Sequence, residues 1–323
     1  DTGVSVMQLY PSITPYNDFH LSAGEGHQLH VQEYGNPNGL PVIICHGGPG
    51  LGLNRDNCRF FDPTRYRIIL YSQRGCGLST PHQVSQNTSD HLIEDLNYLR
   101  QSLGIDKLSL CGASWGATLC LLYAIKYHKH VAGLILRGTF LATHADLEWL
   151  YGPSGAAAQF YPELYQDFSQ SQRDVKSIFA SYKQHLYGDD QIHASHYAKQ
   201  WCQWEAVLSQ GKQSPQWALN CPQQGLFMAR LMVHFFSENC FIEESYIVKN
   251  SHNLHKLPMW FIHGRHDLVC RFSVVQQFAK QLNAQLFVLD EIGHGVDNQV
   301  YLSAVRRAAD LMSIKLSRNK CKD

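Results

Sequence analysis

The sequence predicts an α/β fold, a mostly parallel, doubly wound sheet with a helical segment inserted into it. Three observations carry this. Apolar runs too short for helices recur at Pro41–Cys45, Arg67–Tyr71, Leu108–Cys111 and Leu134–Leu136, three of them rich in Val or Ile, as buried parallel strands are. A punctuated helix separates the second run from the third. The strand pattern then stops at about Thr139 and resumes at Met259–His263 and Leu286–Leu289.

Taken in order, Gly26–Gly35 alternates around Leu29, Val31 and Tyr34, the pattern of a half-buried strand. The helix after Arg67–Tyr71 has Ser89 or Asp90 as its expected cap. Leu92, Leu96, Leu99 and Leu103 form its apolar face, and Gly104 its stop. Ala117–Tyr127 is an apolar helical run. The stretch from Thr139 to His255 is Gln-rich and aromatic, with Trp149, Trp201, Trp204 and Trp217, and its period is helical. A last helix is expected over Gln299–Leu316. The expected organisation is a core of residues 1–140 and 256–323, interrupted by a helical cap of residues 141–255.

Of the 323 residues, 27 are Lys or Arg and 27 are Asp or Glu, so the formal charge is zero. That balance disfavours a nucleic-acid partner and a polybasic membrane surface. Apolar residues make up 44% and charged residues 17%, which suits a packed core and excludes a disordered chain. No apolar run reaches the length of a membrane span. The ten cysteines show no Cys-x-x-Cys pair and no zinc spacing. Cys45, Cys111 and Cys120 lie in apolar runs, so buried thiols in a reducing, cytoplasmic compartment are expected.

The sharpest local feature is Gly112-Ala113-Ser114-Trp115-Gly116, between an expected strand and an expected helix. A nucleophile on so tight a turn needs small neighbours, and the following helix N-terminus supplies amide donors for a developing anion. Serine needs a base, and the base an orienting acid. Asp267 follows the strand Met259–His263, and His294 follows Leu286–Leu289. The chain order is therefore serine, acid, histidine, with all three at the same edge of a parallel sheet. Asp290 is a competing acid, ranked below Asp267 because it sits on the histidine's own loop. His46-Gly47-Gly48-Pro49-Gly50 follows another strand end. Its backbone can face a cavity without side-chain interference, so Gly48, with Gly47 as the alternative, is expected to form an oxyanion hole with the Trp115 amide. Cys270 falls close to Asp267 as either a reactive or an inert thiol.

These motifs resemble one family. His46-Gly47-Gly48-Pro49-Gly50, Gln73-Arg74-Gly75-Cys76-Gly77-Leu78-Ser79 and Gly112-Ala113-Ser114-Trp115-Gly116-Ala117-Thr118-Leu119 are similar to those of proline iminopeptidases (prolyl aminopeptidases) in the α/β-hydrolase superfamily. So are Leu136-Arg137-Gly138-Thr139-Phe140-Leu141, Trp201-Cys202-Gln203-Trp204-Glu205 and His263-Gly264-Arg265-His266-Asp267-Leu268-Val269-Cys270. The resemblance implies an α/β-hydrolase fold and a serine peptidase that removes an N-terminal residue, typically proline, from a small peptide or amino-acyl substrate, with no metal or organic cofactor. It implies Ser114 as nucleophile, Asp267 as orienting acid and His294 as base. It also implies that Glu205 receives the substrate's free amine, in a pocket walled by Trp201 and Trp204, which share its helix face at i, i+3 and i+4.

The departures concern the substrate. Where the family usually carries a second amine-binding glutamate, Ala229-Arg230-Leu231-Met232-Val233-His234 places Met232. Losing that anion removes a charge-assisted hydrogen bond of about 1.5–3 kcal/mol, roughly a ten- to hundredfold loss of selectivity. Ser72 stands in place of the usual Asp, and Gly295 in place of a common Ser. An esterase or amidase using the same three residues is the alternative expectation. A non-catalytic binding protein is disfavoured by the intact set, and Ser114 excludes chemistry that needs a carboxylate nucleophile at that turn.

Overall fold

A computed structural model describes residues 6–210, 222–295 and 297–320. Trp217 lies outside the described residues. Eight strands form one sheet: β1 (Asn17–Gly24), β2 (His27–Gly35), β3 (Leu40–Cys45), β4 (Tyr66–Tyr71), β5 (Leu108–Ala113), β6 (Val131–Arg137), β7 (Met259–Gly264) and β8 (Gln285–Leu289). Their order is β1-β2-β4-β3-β5-β6-β7-β8, with β1 and β2 antiparallel to their neighbours and every other pairing parallel. The direction of strand crossover reverses between β3 and β5, so the loops after these two strands diverge and leave a crevice at their C-terminal ends.

The expected strands are present; β2 starts one residue later than expected, β6 is four residues longer, and the others are longer by one or two. β1 was not expected from the sequence. It is an edge strand whose residues are all exposed or half-buried, so its sequence, Asn-Asp-Phe-His-Leu-Ser-Ala-Gly, carries no core signal.

Helices α1 (Ser89–Ser102) and α2 (Trp115–Tyr127) cover one face of the sheet, where Leu92, Leu96 and Leu99 meet Leu119 and Leu122 in one buried cluster. The cap of α1 is Thr88 rather than Ser89 or Asp90. The Thr88 side chain accepts from the His91 N–H, and the His91 ring accepts from the Thr88 N–H, a reciprocal box that leaves Ser89 free to donate to the Cys240 carbonyl.

Between β6 and β7 the described residues hold no strand. They form α3 (His144–Tyr151), α4 (Ala156–Phe160), α5 (Pro162–Ser169), α6 (Val175–Leu186), α7 (Gln191–Gln210), α8 (Pro222–Ser237) and α9 (Tyr246–Lys249). Aromatic rings bind this layer together: Phe168 stacks on Trp204 at 5.2 Å, and Tyr151 lies 4.9 Å from Trp201. Two further helices, α10 (Phe272–Gln281) and α11 (Gln299–Lys320), follow β7 and β8. The second packs Val305, Ala308 and Met312 against the opposite face of the sheet. No described helix is long and apolar enough to cross a membrane, and the eight described cysteines are buried free thiols.

The loop after β4 is pinned by a buried ion pair. Arg74 donates Nε to Asp95 Oδ2 at 2.7 Å and Nη2 to Asp95 Oδ1 at 2.6 Å, a fork-to-carboxylate bond from the loop to α1. Substituting Arg74→Met leaves Asp95 buried and unpaired and is expected to cost about 3–5 kcal/mol of stability. The double variant Arg74→Met/Asp95→Leu should recover part of that loss in urea unfolding. A double variant no more stable than the single one would contradict the pairing.

Candidate functional site

The site begins with backbone packing. Ser114 joins β5 to α2 with φ +55° and ψ −116°, a strained pair for a residue with a side chain. The turn closes because both flanking glycines are pressed against backbone. A methyl group on Gly112 would strike the Gly116 carbonyl, and one on Gly116 would strike the Cys45 carbonyl at the end of β3. This contact brings the first turn of α2 against the β3 loop. Trp115 opens α2, so its N–H has no acceptor further back in the helix. Gly47, Gly48, Ser114 and His294 line one cavity of about 620 Å³.

Asp267 and His294 are brought together. His294 Nδ1 donates to Asp267 Oδ2 at 2.8 Å, while Asp267 Oδ1 accepts from the Val269 and Cys270 amides, each at 2.8 Å. Burial pushes the Asp267 carboxyl up, but the His294 imidazole, His263 and the Cys270 amide outweigh it and hold the group below its usual range. His263, on β7, donates Nε2 to the Cys270 carbonyl at 2.8 Å and stands 3.5 Å from Asp267 Oδ2. Burial pulls its own pKa down, which favours a neutral ring. Asp290 is bound elsewhere, to Arg265 at 2.7 Å on the surface.

Ser114 Oγ lies 4.0 Å from the Cys270 sulfur, and among the described residues no hydrogen bond joins it to His294. The thiol is 1% exposed and burial pushes its pKa well up, so it is an inert packed group rather than a reactive one. Asp267, Cys270 and His294 place one donor atom each within 4.8 Å of one another. Both Asp267 oxygens are already occupied, so the trio has no free carboxylate to offer a metal.

A residue not singled out from the sequence ties the two backbone segments together. Gln73 is buried in the loop after β4. Its N–H donates to His46 Nε2 at 2.9 Å, its side-chain amide donates to the His46 carbonyl at 2.9 Å, and its oxygen accepts from the Trp115 indole at 3.0 Å. His46 turns its other nitrogen to the Gly47 carbonyl at 2.9 Å, and burial pulls its pKa down to about 4, so it is a neutral spacer. Nothing in the local sequence around Gln73 marks this role, which depends on the order β4-β3-β5.

From the helices between β6 and β7, Glu205 of α7 and Met228 and Met232 of α8 line the same cavity as Ser114. Glu205 accepts from the Tyr151 hydroxyl at 2.5 Å. Burial pushes its carboxyl up to about 7, against the opposing pull of Tyr151 and His294.

Trp201 and Trp204 depart from expectation. Neither lines the cavity; at 0% and 2% exposure they lie in the aromatic layer behind it. Trp204 donates to the Leu150 carbonyl at 3.0 Å, and Trp201 donates to the Met232 sulfur at 3.3 Å. The i, i+3, i+4 spacing placed them near Glu205, but α5 and α6 pack onto that side of α7 and draw the indoles away from the opening.

The two remaining departures have local partners. Ser72 Oγ accepts from the Leu53 N–H at 3.0 Å. Gly295 has φ +82° with the Tyr301 ring against its α-carbon, leaving no room for a serine side chain.

Residues 41–296 match the family model for the α/β hydrolase fold. The chain is 34% identical over 316 residues to a proline iminopeptidase of Xanthomonas citri, covering 94% of this chain and 98% of that relative. It is 33% identical over 307 residues to a proline iminopeptidase of Arabidopsis thaliana, covering 92% of this chain and 80% of that one. Among solved structures, a bromoperoxidase from Bacillus anthracis superposes with a TM-score of 0.62 at 18% identity, over 93% of this chain and all of that one, a likeness of fold.

Substituting Gln73→Ala orphans the Trp115 indole N–H and the His46 carbonyl in the core. Stability should fall by about 1–3 kcal/mol for each group left unsatisfied. Urea denaturation measures it, and a loss under about 0.5 kcal/mol would mean that water replaces the amide at no cost.

Proposed function

This chain belongs to the proline iminopeptidase family of α/β-hydrolases, and we propose that it is a serine aminopeptidase that releases an N-terminal residue, preferentially proline, through an acyl-enzyme. The observation that carries this reading is the presence of Glu205 in the same cavity as Ser114 and His294. A carboxylate there holds the substrate's terminal ammonium, and its separation from the nucleophile sets how many residues fit before the scissile bond. The helices of residues 141–255 act as a cap that supplies this carboxylate and shields it from water.

In the proposed reaction, His294 Nε2 takes the Ser114 proton as Oγ attacks the substrate carbonyl. Asp267 keeps the other nitrogen protonated and stabilises the imidazolium, consistent with the 2.8 Å Nδ1–Oδ2 contact. The amides of Gly48 and Trp115 receive the oxyanion, and Gln73 keeps their two segments at a constant separation. The imidazolium protonates the departing amine. Water, deprotonated by His294, then attacks the acyl carbon; the intermediate collapses and the proton returns to Ser114.

A second reading, an esterase or amidase with the same three residues, is favoured by one observation. The expected second amine-binding position is the thioether of Met232, 3% exposed and bonded to Trp201, so one wall of the amine pocket is apolar and uncharged. The two readings differ in whether a free amine is required.

Labelling by a fluorophosphonate probe should be complete for the native protein and absent for Ser114→Ala; a labelled variant would place the nucleophile elsewhere. For the amine site, prolyl arylamide is compared with its N-acylated form. Glu205 is neutral below a pKa of about 7 and anionic above it, so preference for the free amine should rise as pH goes from 5.5 to 7.5. That range lies below the α-amine's own pKa of about 8. Glu205→Gln should flatten the profile and lower kcat/KM for the free amine about ten- to a hundredfold. A flat profile for the native protein, with both substrates cleaved alike, would favour the esterase reading.

A further inference from the structure

The cavity lined by Ser114, His294 and Glu205 has further walls beyond these three groups. There it is lined by Leu53, Asn57 and Phe60 from the loop and 3₁₀ turn after β3, by Tyr301 from the first turn of α11, and by Arg137. Arg137 ends β6. Its carbonyl accepts from the Ser114 N–H at 2.9 Å, and the next residue, Gly138, lies against the His294 ring. The guanidinium is therefore anchored beside the reacting groups by one hydrogen-bonded backbone contact.

The guanidinium lies over the Phe60 ring at 5.0 Å and directs Nη2 toward Asn57 Oδ1 at 3.5 Å, a long contact. Among the described residues no carboxylate lies within ion-pairing distance of it. The acids on the cavity wall are otherwise placed. Asp56 faces Arg59 at 3.9 Å and is mostly exposed, Asp297 is exposed, and Glu205 is bonded to Tyr151. A partly buried guanidinium with unused donors is a site for a planar anion, which it can bind with two parallel N–H···O bonds.

We propose that Arg137, steadied by Phe60 and Asn57, binds the C-terminal carboxylate of the leaving group, so that the preferred substrates are peptides of two or three residues with a free C-terminus. This rests on the reading in which Ser114 is acylated and Glu205 holds the amine. His294 must protonate the departing amine, so the leaving group lies on the His294 side of the nucleophile, where Arg137 stands. One extended residue spans about 3.5 Å, so the terminal carboxylate of a dipeptide or tripeptide falls within about 7 Å of the scissile carbonyl. Longer chains place that charge beyond the cavity. Recognition at both termini then compensates for the single carboxylate on the amine side.

The experiment compares kcat/KM of the full chain for prolyl-alanine and for prolyl-alanine amide, with prolyl arylamide measured in parallel. The native protein should favour the free acid over the amide about ten- to a hundredfold. In Arg137→Ala that ratio should fall to about one, chiefly through KM, with Arg137→Lys between the two. A native ratio near one overturns the inference, and so does an Arg137→Ala variant that slows acid and amide equally, since that marks a structural role. If the variant does not fold, the native ratio decides alone. Failure of the underlying reading has its own signature, an absence of prolyl arylamide hydrolysis by the native protein, which would overturn both.

Discussion

The architecture of the site depends on one steric constraint, the contact between the first turn of α2 and the end of β3. Gly116 rests against the Cys45 carbonyl and Gly112 against the Gly116 carbonyl, with no space for a side-chain carbon at either place. Because the helix sits that close, the β3 loop and the α2 N-terminus approach as bare backbone, and a cavity lined by Gly47, Gly48 and Ser114 opens between them. A larger residue would separate the elements by ångströms, and a constellation held by hydrogen bonds of about 3 Å tolerates no such shift. The strained φ of Ser114 belongs to the same constraint, since only a sharp turn carries the chain from a buried strand into a helix that starts on its neighbour.

Around this contact the structure uses buried polar groups in closed networks. Gln73 spends its backbone donor, side-chain donor and side-chain acceptor on His46 and Trp115, and the adjacent Arg74 is forked onto Asp95. On the far side, Asp267 accepts from two backbone amides and His294, with neutral His263 beside it. Most of these groups are satisfied, His263 Nδ1 being a buried exception, and this limits the cost of so many polar groups behind the site. Local burial also assigns states: it makes Cys270 inert, keeps His46 uncharged and raises Glu205 into the range where its charge changes near neutral pH.

The two sides of the cavity have different structural origins. The core supplies groups at strand ends, whereas α7 and α8 supply Glu205, Met228 and Met232 to the same cavity. The aromatic layer of Tyr151, Phe168, Trp201 and Trp204 gives those helices a rigid base without entering the cavity. A helical layer packed on its own aromatic core can change its lining residues while the strand-end groups stay in place.

How much of this was legible in the chain follows from the range of the interactions concerned. Parallel strands buried on both faces declare themselves as short apolar runs, so β3 to β7 could be read directly, and the loops after them carried Ser114, Asp267 and His294 in an order that a parallel sheet brings to one edge. Two elements were missed: β1 at the sheet edge, which has no core signal, and α10, a ten-residue helix with five apolar residues. The α1 cap was displaced by one residue because Thr88 and His91 form a reciprocal box that Ser89 and Asp90 mimic in composition. Helical spacing placed Trp201 and Trp204 beside Glu205, but which side of α7 meets the cavity was settled by the packing of α5 and α6. Gln73, Tyr151 and Arg137 gain their partners from segments 27 to 80 residues distant. The sequence alone thus determined the fold class and marked Ser114, Asp267 and His294 as candidates at strand ends, because period, turn chemistry and chain order are local. Only the tertiary structure decided which groups face the cavity, which are neutral and that Arg137 lines the cavity without a carboxylate partner among the described residues, because burial and long-range contact exist only once the layers have closed.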